Sequence, residues 1–376
     1  MRNGATMKET EINDILSRGA GLLDITPSMF EEATSHYKAV GEFLGNHGVE
    51  ADISPCGSIL TGTVVRPYSD DDDAYFDIDV LVNRAGFGSA SSMPRDARGP
   101  VDETLLNSDR YGDMAEEYDE CITIEYVSNG VEGGFRLDLN TCIDDRESPR
   151  AQTCETYPEY ADYAVSMAWE NPERWHGSNP RGLCQWFIDR NERFAAPGRA
   201  QRKARILKES RGVYASIEDV PDSLDRSEMQ RAVQVLKRSR DEFYHRRVRS
   251  EKAPASCVIT VIVGVLSDDL PDDATAIDFL EGFIRCARSL AETRSLPNPV
   301  YDEDLLKGWE DRDFDLLASW TKEIERSLGD LRYGTRSKGG AAAEAIFGSK
   351  VGRRAMPVVT AAAAPSVVAP SKPWSM

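Results

Sequence analysis

Two aspartates, Asp77 and Asp79, sit two positions apart in the run YFDIDV that spans residues 75–80. On a strand the side-chain period is two, so both carboxylates point to one face while Phe76, Ile78 and Val80 fill the other. Two like charges held that close on a rigid element repel, and a divalent cation relieves the repulsion. Mg²⁺ characteristically takes one or two carboxylates and completes its shell with substrate phosphates. Upstream, Gly57-Ser58 follows a short apolar–polar alternation (Val49, Ala51, Ile53). A turn of this kind offers bare backbone N–H groups and a hydroxyl to a triphosphate. A third carboxylate, Asp138, lies in FRLDLNTCI, where Phe135, Leu137 and Leu139 face one way and Arg136, Asp138 and Asn140 the other. The chemistry that the Gly-Ser turn and the aspartate pair suit is nucleotidyl transfer assisted by a divalent cation.

These residues need a sheet. The run from Tyr75 to Val82 and the stretch CITIEYV at 121–127 both read as strands. Ser128-Asn129-Gly130 begins a turn that Gly133-Gly134 extends, so Asp138 is expected on the return strand of a hairpin. A long helix is expected to flank the sheet. Thr26 is its N-cap and Pro27 its first residue, Phe30, Ala33, Tyr37, Val40 and Leu44 recur at helical spacing, and Asn46-His47-Gly48 ends it. A shorter helix is expected over Ile12–Leu23. A second strong helix is expected from Ser223 to Arg249, with a stripe of Met229, Val233, Leu236, Arg240 and Phe243. Arg231, Arg238, Arg246 and Arg247 read as its solvated basic face. The apolar run at 254–266 reads as a buried helix, and further helices are expected at 278–290 and 313–328. Residues 84–109, rich in Gly, Ser, Pro, Arg and Asp, read as a long surface insertion. The acid run Asp70–Asp73 reads as a solvated loop, His36 and His47 as solvated, and His176 as without a chemical role.

The G-S … D-x-D arrangement, with the extended form GSILTGT over residues 57–63 and the later Asp138, resembles the cGAS/DncV-like nucleotidyltransferases, the bacterial cyclic-oligonucleotide synthases. Four further stretches carry the resemblance: WHGSNPRGLCQWF at 175–187, MQRAVQVLKRSRDEF at 229–243, LPNPV at 296–300 and AAAEAIFG at 341–348. It covers roughly residues 26 to 350, and the family often has His where this chain has Ser239. The resemblance implies an α+β fold: a polymerase-beta-like palm sheet flanked by the N-terminal helix, a mostly helical C-terminal lobe, and an active site in the cleft between them. The implied division is a catalytic core over residues 1–160 with a spine helix at about 26–48, a helical lobe over 161–355, and a low-complexity tail over 356–376. It also implies catalytic, metal-binding roles for Asp77, Asp79 and Asp138, and nucleotide-binding roles for Gly57, Ser58, Thr61, Lys237 and Ser256. Arg181 has a structural role or approaches nucleotide. Two Mg²⁺ ions, or Mn²⁺ in their place, are the implied cofactors. The implied activity joins nucleoside triphosphates into a cyclic di- or trinucleotide second messenger with release of pyrophosphate, in antiphage (CBASS) signalling. Accessory proteins of that system, reached through the C-terminal tail, are implied partners.

Composition bounds this reading. The chain has 376 residues with 40% hydrophobic and 29% charged content, which suits a globular protein. No run reaches the ~18 apolar residues of a membrane helix, and MRNGATMKETEINDI lacks the apolar core of a signal peptide, so the expected location is the cytoplasm. Seven scattered cysteines without a C-x-x-C pair suit reduced structural thiols. A net charge of −19 argues against a long nucleic-acid partner but not against small nucleotides. Alternatives are another template-independent transferase that makes linear oligonucleotides or modifies RNA or protein, and a catalytically silent nucleotide-binding module.

Overall fold

The computed structural model describes residues 7–66, 75–127, 134–152, 158–171, 173–248 and 251–357. The acid run Asp70–Asp73, the turn at 128–133, Cys154 and the tail beyond Pro357 lie outside the described residues.

The chain opens with helices α1 (Glu9–Gly21) and α2 (Pro27–Asn46). Strand β1 (Asp52–Pro55), the five-residue helix α3 (Gly57–Thr61), β2 (Phe76–Asn83) and α4 (Pro94–Leu106) follow. Next come β3 (Ala115–Glu117), β4 (Ile122–Tyr126), β5 (Phe135–Asp144), α5 (Pro149–Gln152), β6 (Val165–Trp169) and β7 (Arg174–Ser178). The rest is helical: α6 (Pro180–Ala195), α7 (Arg199–Glu209), α8 (Glu228–Arg247), α9 (Ser256–Leu266), α10 (Ala276–Thr293), α11 (Asp311–Tyr333), α12 (Arg336–Phe347) and α13 (Ser349–Ala355).

The strands form one mixed sheet in the order β1-β2-β5-β4-β3. Its central pair, β2 and β5, is parallel, while the other pairings are antiparallel. Strand β6 joins β5 at Cys142–Asp144, beyond the residues that β4 takes, and β7 pairs with β6. In β2 the alternation gives way to continuous apolar residues after Asp79: Val80, Leu81 and Val82 are all buried. There the sheet is covered on both sides. Ile78, Val80 and Val82 pack with Val40 and Leu44 of α2, whereas Leu81 packs with Cys56, Cys142, Val165 and Cys184. Helix α2 begins as expected, with the Met29 N–H donating to the Thr26 hydroxyl at 3.2 Å and Pro27 in the first turn. It ends at Gly48 in the left-handed conformation.

A second core joins α1, α6 and α8–α13 around the fully buried Trp186, Phe187 and Trp320. Two placements cut across the division at residue 160. Strands β6 and β7 extend the sheet past it, and α1 contributes Ile12, Ile15 and Leu16 to the helical core. Among the described residues no helix is long and apolar enough to cross a membrane.

Three expectations are corrected. The stretch read as a surface insertion contains α4, which buries Ala97, Val101 and Leu105. Its buried Arg98 bonds Asp102 at 2.6 Å and the backbone carbonyls of Tyr118 and Asp119. Pro94, Gly99 and Pro100 gave this segment a loop-like composition that hid an i, i+4, i+8 apolar line. His36 is half-buried rather than solvated, with its ring 4.1 Å from that of Tyr126. The arginines of α8 are not a bland face. Arg238 is buried and donates to the Phe347 carbonyl at 3.0 Å, and Arg246 and Arg247 both reach Glu323.

Arg231 donates both terminal nitrogens to Asp24 at 2.8 and 2.9 Å, and Arg226 and Gln234 approach the same carboxylate. Burial alone would push Asp24 up, but the Arg226 and Arg231 charges and the hydrogen bonds hold its carboxyl below the ordinary value of 3.8. Asp24→Ala should cost about 3 kcal/mol at neutral pH, because two arginines lose a shared counter-charge. The folded pKa is depressed, so this stabilisation is present above pH 4 and is lost as pH falls through the lower folded value. The gap between the wild type and Asp24→Ala in denaturant unfolding should therefore narrow as the pH is lowered below about 4; a gap of constant size between neutral pH and acid would contradict this.

Candidate active site

The sequence-expected residues meet in one place. Gly57, Ser58, Thr61, Asp77, Asp79, Asp138, Lys237 and Ser256 all line a single cleft of about 520 Å³. Register explains how the acids converge. In the parallel pair β2 and β5, Asp79 lies directly beside Asp138 and Asp77 beside Arg136. Adjacent residues of a sheet at matched register share a face, so a carboxylate from the far side of the hairpin joins the two on β2.

The electrostatics show the cost of this grouping. Burial, then the charges of Asp138 and Asp77, push Asp79 up to about 6. Burial and Asp138 raise Asp77, with Arg136 and Lys237 pulling the other way. Burial also raises Asp138, whereas the hydroxyl of Thr123, directly opposite on β4, donates to Asp138 Oδ1 at 2.7 Å and favours the charged form. The arrangement is short of positive charge, and its hard oxygen donors suit Mg²⁺ or Mn²⁺. Among the described residues no three His, Cys, Asp or Glu side chains enclose one ion by themselves. An ion held by Asp77, Asp79 and Asp138 would thus take further ligands from phosphate oxygens and water, the shell Mg²⁺ favours.

Lys237 lines the same cleft, on a helix that starts with the capping box Ser227–Gln230. It is 8% exposed, and its Nζ donates to the Thr63 carbonyl at 3.2 Å. Burial and neighbouring Arg240 push its amine down to about 8, against the pull of Asp241, Asp79 and Asp77. Gly57 and Ser58 begin α3 rather than an open turn. Thr61 is buried in the same helix, and its hydroxyl lies within hydrogen-bond distance of the Gly57 carbonyl (3.2 Å) and of Thr63 Oγ1 (2.8 Å). Its polar atom is thereby engaged in holding the α3 turn. Arg181 lies 5.7 Å from the Tyr163 ring, and α6 begins with Asn179 accepting from the Gly182 N–H.

Sequence reasoning missed two participants. Arg240 was placed in the apolar stripe of α8, yet it lines the cleft, donating to Ser256 Oγ at 3.1 Å and to the Pro254 carbonyl at 2.8 Å. Its spacing from Lys237, one helical turn, was the available signal. Thr123 carried no motif, and only the cross-strand register reveals it. With its hydroxyl fixing one oxygen of Asp138, Thr123→Val should lower kcat about tenfold with little change in KM, since a lost hydrogen bond to a charged group is worth about 1.5 kcal/mol or more. Thr123→Ser should recover most of the rate. An equal rate in Thr123→Val would remove Thr123 from the site.

No family model matches the chain. A curated c-di-GMP synthase of Roseivirga ehrenbergii is 24% identical over 316 residues, covering 81% of this chain and 74% of that protein. The solved CD-NTase CdnG of Bradyrhizobium diazoefficiens, in complex with GTP, is 17% identical, with a TM-score of 0.68 over 91% of this chain and 96% of that one. The cyclic AMP-GMP synthase DncV of Vibrio cholerae, in complex with a linear pppA(3′,5′)pG intermediate, is 14% identical, with a TM-score of 0.51 over 91% and 87% of the two chains. These matches cover the mixed sheet and the helical half together, and the chain shares the fold of the solved CD-NTases.

Proposed function

We propose that the protein joins nucleoside triphosphates into a cyclic dinucleotide and releases pyrophosphate. The observation that carries this reading is the in-register placement of Asp79 beside Asp138, with Asp77, in one cleft with Lys237. The relative that is a c-di-GMP synthase supports GTP as a substrate. Asp77 and Asp79 would hold Mg²⁺ on the triphosphate, and Asp138 would complete a second site at the attacking ribose. When bound, the ions supply charge neutralisation at the phosphates and a lower pKa for the ribose hydroxyl. The backbone at Gly57 and the Ser58 hydroxyl orient the β- and γ-phosphates, with Ser256 and its neighbour Arg240 lining the same cleft. Lys237 offsets the charge that grows on the leaving pyrophosphate. The ribose hydroxyl releases its proton to solvent as its oxygen forms a bond to the α-phosphorus and the bond to pyrophosphate breaks, and a second transfer of the same kind within the linear intermediate closes the ring. We extend the same reading to antiphage signalling in the cytoplasm, with accessory proteins recruited through the C-terminal tail; the family resemblance is its support.

Mass spectrometry of products from all four nucleoside triphosphates with Mg²⁺ tests the proposal. A phosphatase-resistant cyclic dinucleotide containing guanine is expected. Only linear, phosphatase-sensitive oligonucleotides, or label transferred to protein or RNA, would overturn it.

A further inference from the structure

Helix α4 carries a buried charge cluster outside the cleft. Arg98 and Asp102, one turn apart and each 5% exposed, meet at 2.6 Å between Nε and Oδ2. A guanidinium has five N–H groups in a fixed plane, and here each finds an acceptor. Besides Asp102, these are the backbone carbonyls of Tyr118, Asp119 and Cys121, in the turn between β3 and β4, and of Ala168 in β6. The Glu170 N–H and the Asn171 amide reach Asp119 from the turn between β6 and β7. One side chain thus ties two turns of the sheet to one helix.

Beside Arg98 a carboxylate oxygen is left over: Asp102 Oδ1 is buried without a hydrogen-bond partner. Glu117 of β3 lies within hydrogen-bonding reach of this carboxyl, with its Oε1 also 3.7 Å from the Arg98 guanidinium. Two carboxylates both accept and neither donates, so their contact needs a proton between them. Burial, opposed by Arg98 and reinforced by Glu117, pushes the Asp102 carboxyl from 3.8 up to about 7. Around the pair, Glu170 approaches Arg98 at 4.0 Å, Glu173 pairs with Arg95, and Arg84 reaches the Ala97 carbonyl. Helix α2 and strand β5 meet α4 with apolar side chains: Val40, Leu44, Leu137 and Leu139 share a core with Val101 and Leu105.

We propose that Arg98, Asp102 and Glu117 form a proton-dependent clamp that positions Thr123, and through it Asp138: it is closed while Asp102 and Glu117 share a proton and loosens when that proton leaves. The route to the cleft is short. Glu116, next to Glu117, pairs with Thr123 across β3 and β4, and Thr123 fixes Asp138 Oδ1. Cys121, held by Arg98, lies two residues before Thr123, and Ala168 follows Met167 of the cleft wall. Without the proton, Asp102 and Glu117 repel, one guanidinium faces three carboxylates, and the exposed Glu117 turns to solvent. Strand β3, three residues at the edge of the sheet, then loses its tie to α4, and the pairing that aims Thr123 loosens with it.

Melting of the metal-free protein tests the shared proton. The folded state raises Asp102, so the wild type loses stability as pH rises from about 4 to about 7, whereas Asp102→Asn has no proton to lose. The aspartates of the cleft titrate in both proteins and cancel. The melting temperature of Asp102→Asn relative to the wild type should climb between about pH 5 and about pH 8, and so should that of Glu117→Gln, altered at an exposed side chain. A constant difference in both variants would overturn the shared proton. Pyrophosphate release from GTP with saturating Mg²⁺ tests the clamp. The amide of either variant donates across the pair at every pH, so kcat relative to the wild type should rise at least about threefold from about pH 6 to about pH 8.5, with the KM ratio flat. Ratios of kcat that stay constant with pH would overturn the clamp even where the melting difference climbs. The rate measurement rests on the synthase reading, whereas melting does not, so the two failures are distinguishable.

Discussion

Asp79→Asn should abolish nucleotide transfer and, in the absence of metal, make the protein more stable. The loss of rate follows from removing a carboxylate that positions the cation on the triphosphate. Such Lewis-acid stabilisation is worth several kcal/mol, so a loss of about a thousandfold in pyrophosphate release is expected. The gain in stability follows from the crowding of the three acids. The folded protein raises Asp79 from 3.8 to about 6, because burial and the charges of Asp138 and Asp77 oppose its ionisation. A carboxyl with a raised folded pKa keeps its proton longer in the folded state than in the unfolded chain. Folding stability therefore falls as pH rises from about 4 to about 6, and the full penalty, up to about 3 kcal/mol, stands at pH 7. An asparagine of the same shape carries none of it.

Melting curves in EDTA should thus show Asp79→Asn above the wild type at pH 7, with the gap closing toward pH 4. With Mg²⁺ and a non-hydrolysable nucleotide the order should reverse, because only the wild type then gains the binding free energy of the ion. A metal-free Asp79→Asn protein that melts below the wild type at pH 7 would show that the acids do not repel as their placement requires. This test reads the charge cluster without depending on which product the enzyme makes.

The acids were legible in the sequence because a strand has a fixed period. Once Phe76, Ile78 and Val80 are assigned to the core, Asp77 and Asp79 must share the other face, and the same logic places Asp138 on its strand. What alternation cannot give is which strands become neighbours. The parallel pairing that sets Asp79 beside Asp138 is a tertiary fact, with a hairpin intervening between the two in the chain. The long helices were equally legible, since Thr26-Pro27 and Ser227 start them with side chains of known capping habit. Arg98, Arg231 and Arg238 show the opposite case. Arginine on an exposed face and arginine reaching across to a carbonyl or carboxylate of another element have the same one-helix pattern, and only the assembled fold distinguishes them. Thr123 and Gln234 were invisible for the same reason, because each acts on a partner far away in the sequence.

Gly57→Ala should lose activity far beyond its loss of stability, and Gly48→Ala provides the comparison. Both glycines hold a left-handed backbone, with φ of +62° at Gly57 and +79° at Gly48. A side chain at either position costs about 1–2 kcal/mol from backbone strain alone. Their surroundings differ. A Cβ on Gly48 meets nothing within 4 Å, whereas one on Gly57 collides with Asp79 Oδ2 and comes within 2.9 Å of its Cγ. The Asp79 carboxylate must then turn away or α3 must retreat, and α3 is held by Gln230 donating to the Thr61 carbonyl at 2.8 Å and by Cys184 against the Gly57 carbonyl. The side chain is the softer of the two, so Asp79 moves. A displacement on the order of 1 Å in a reacting group costs about a hundredfold in rate. Both variants should therefore melt several degrees below the wild type, but only Gly57→Ala should lose about a hundredfold in pyrophosphate release. The absence of a side chain at Gly57 makes room for a carboxylate as well as permitting a turn. Wild-type rates in Gly57→Ala would mean that the orientation of Asp79 against α3 is not the one used in the reaction.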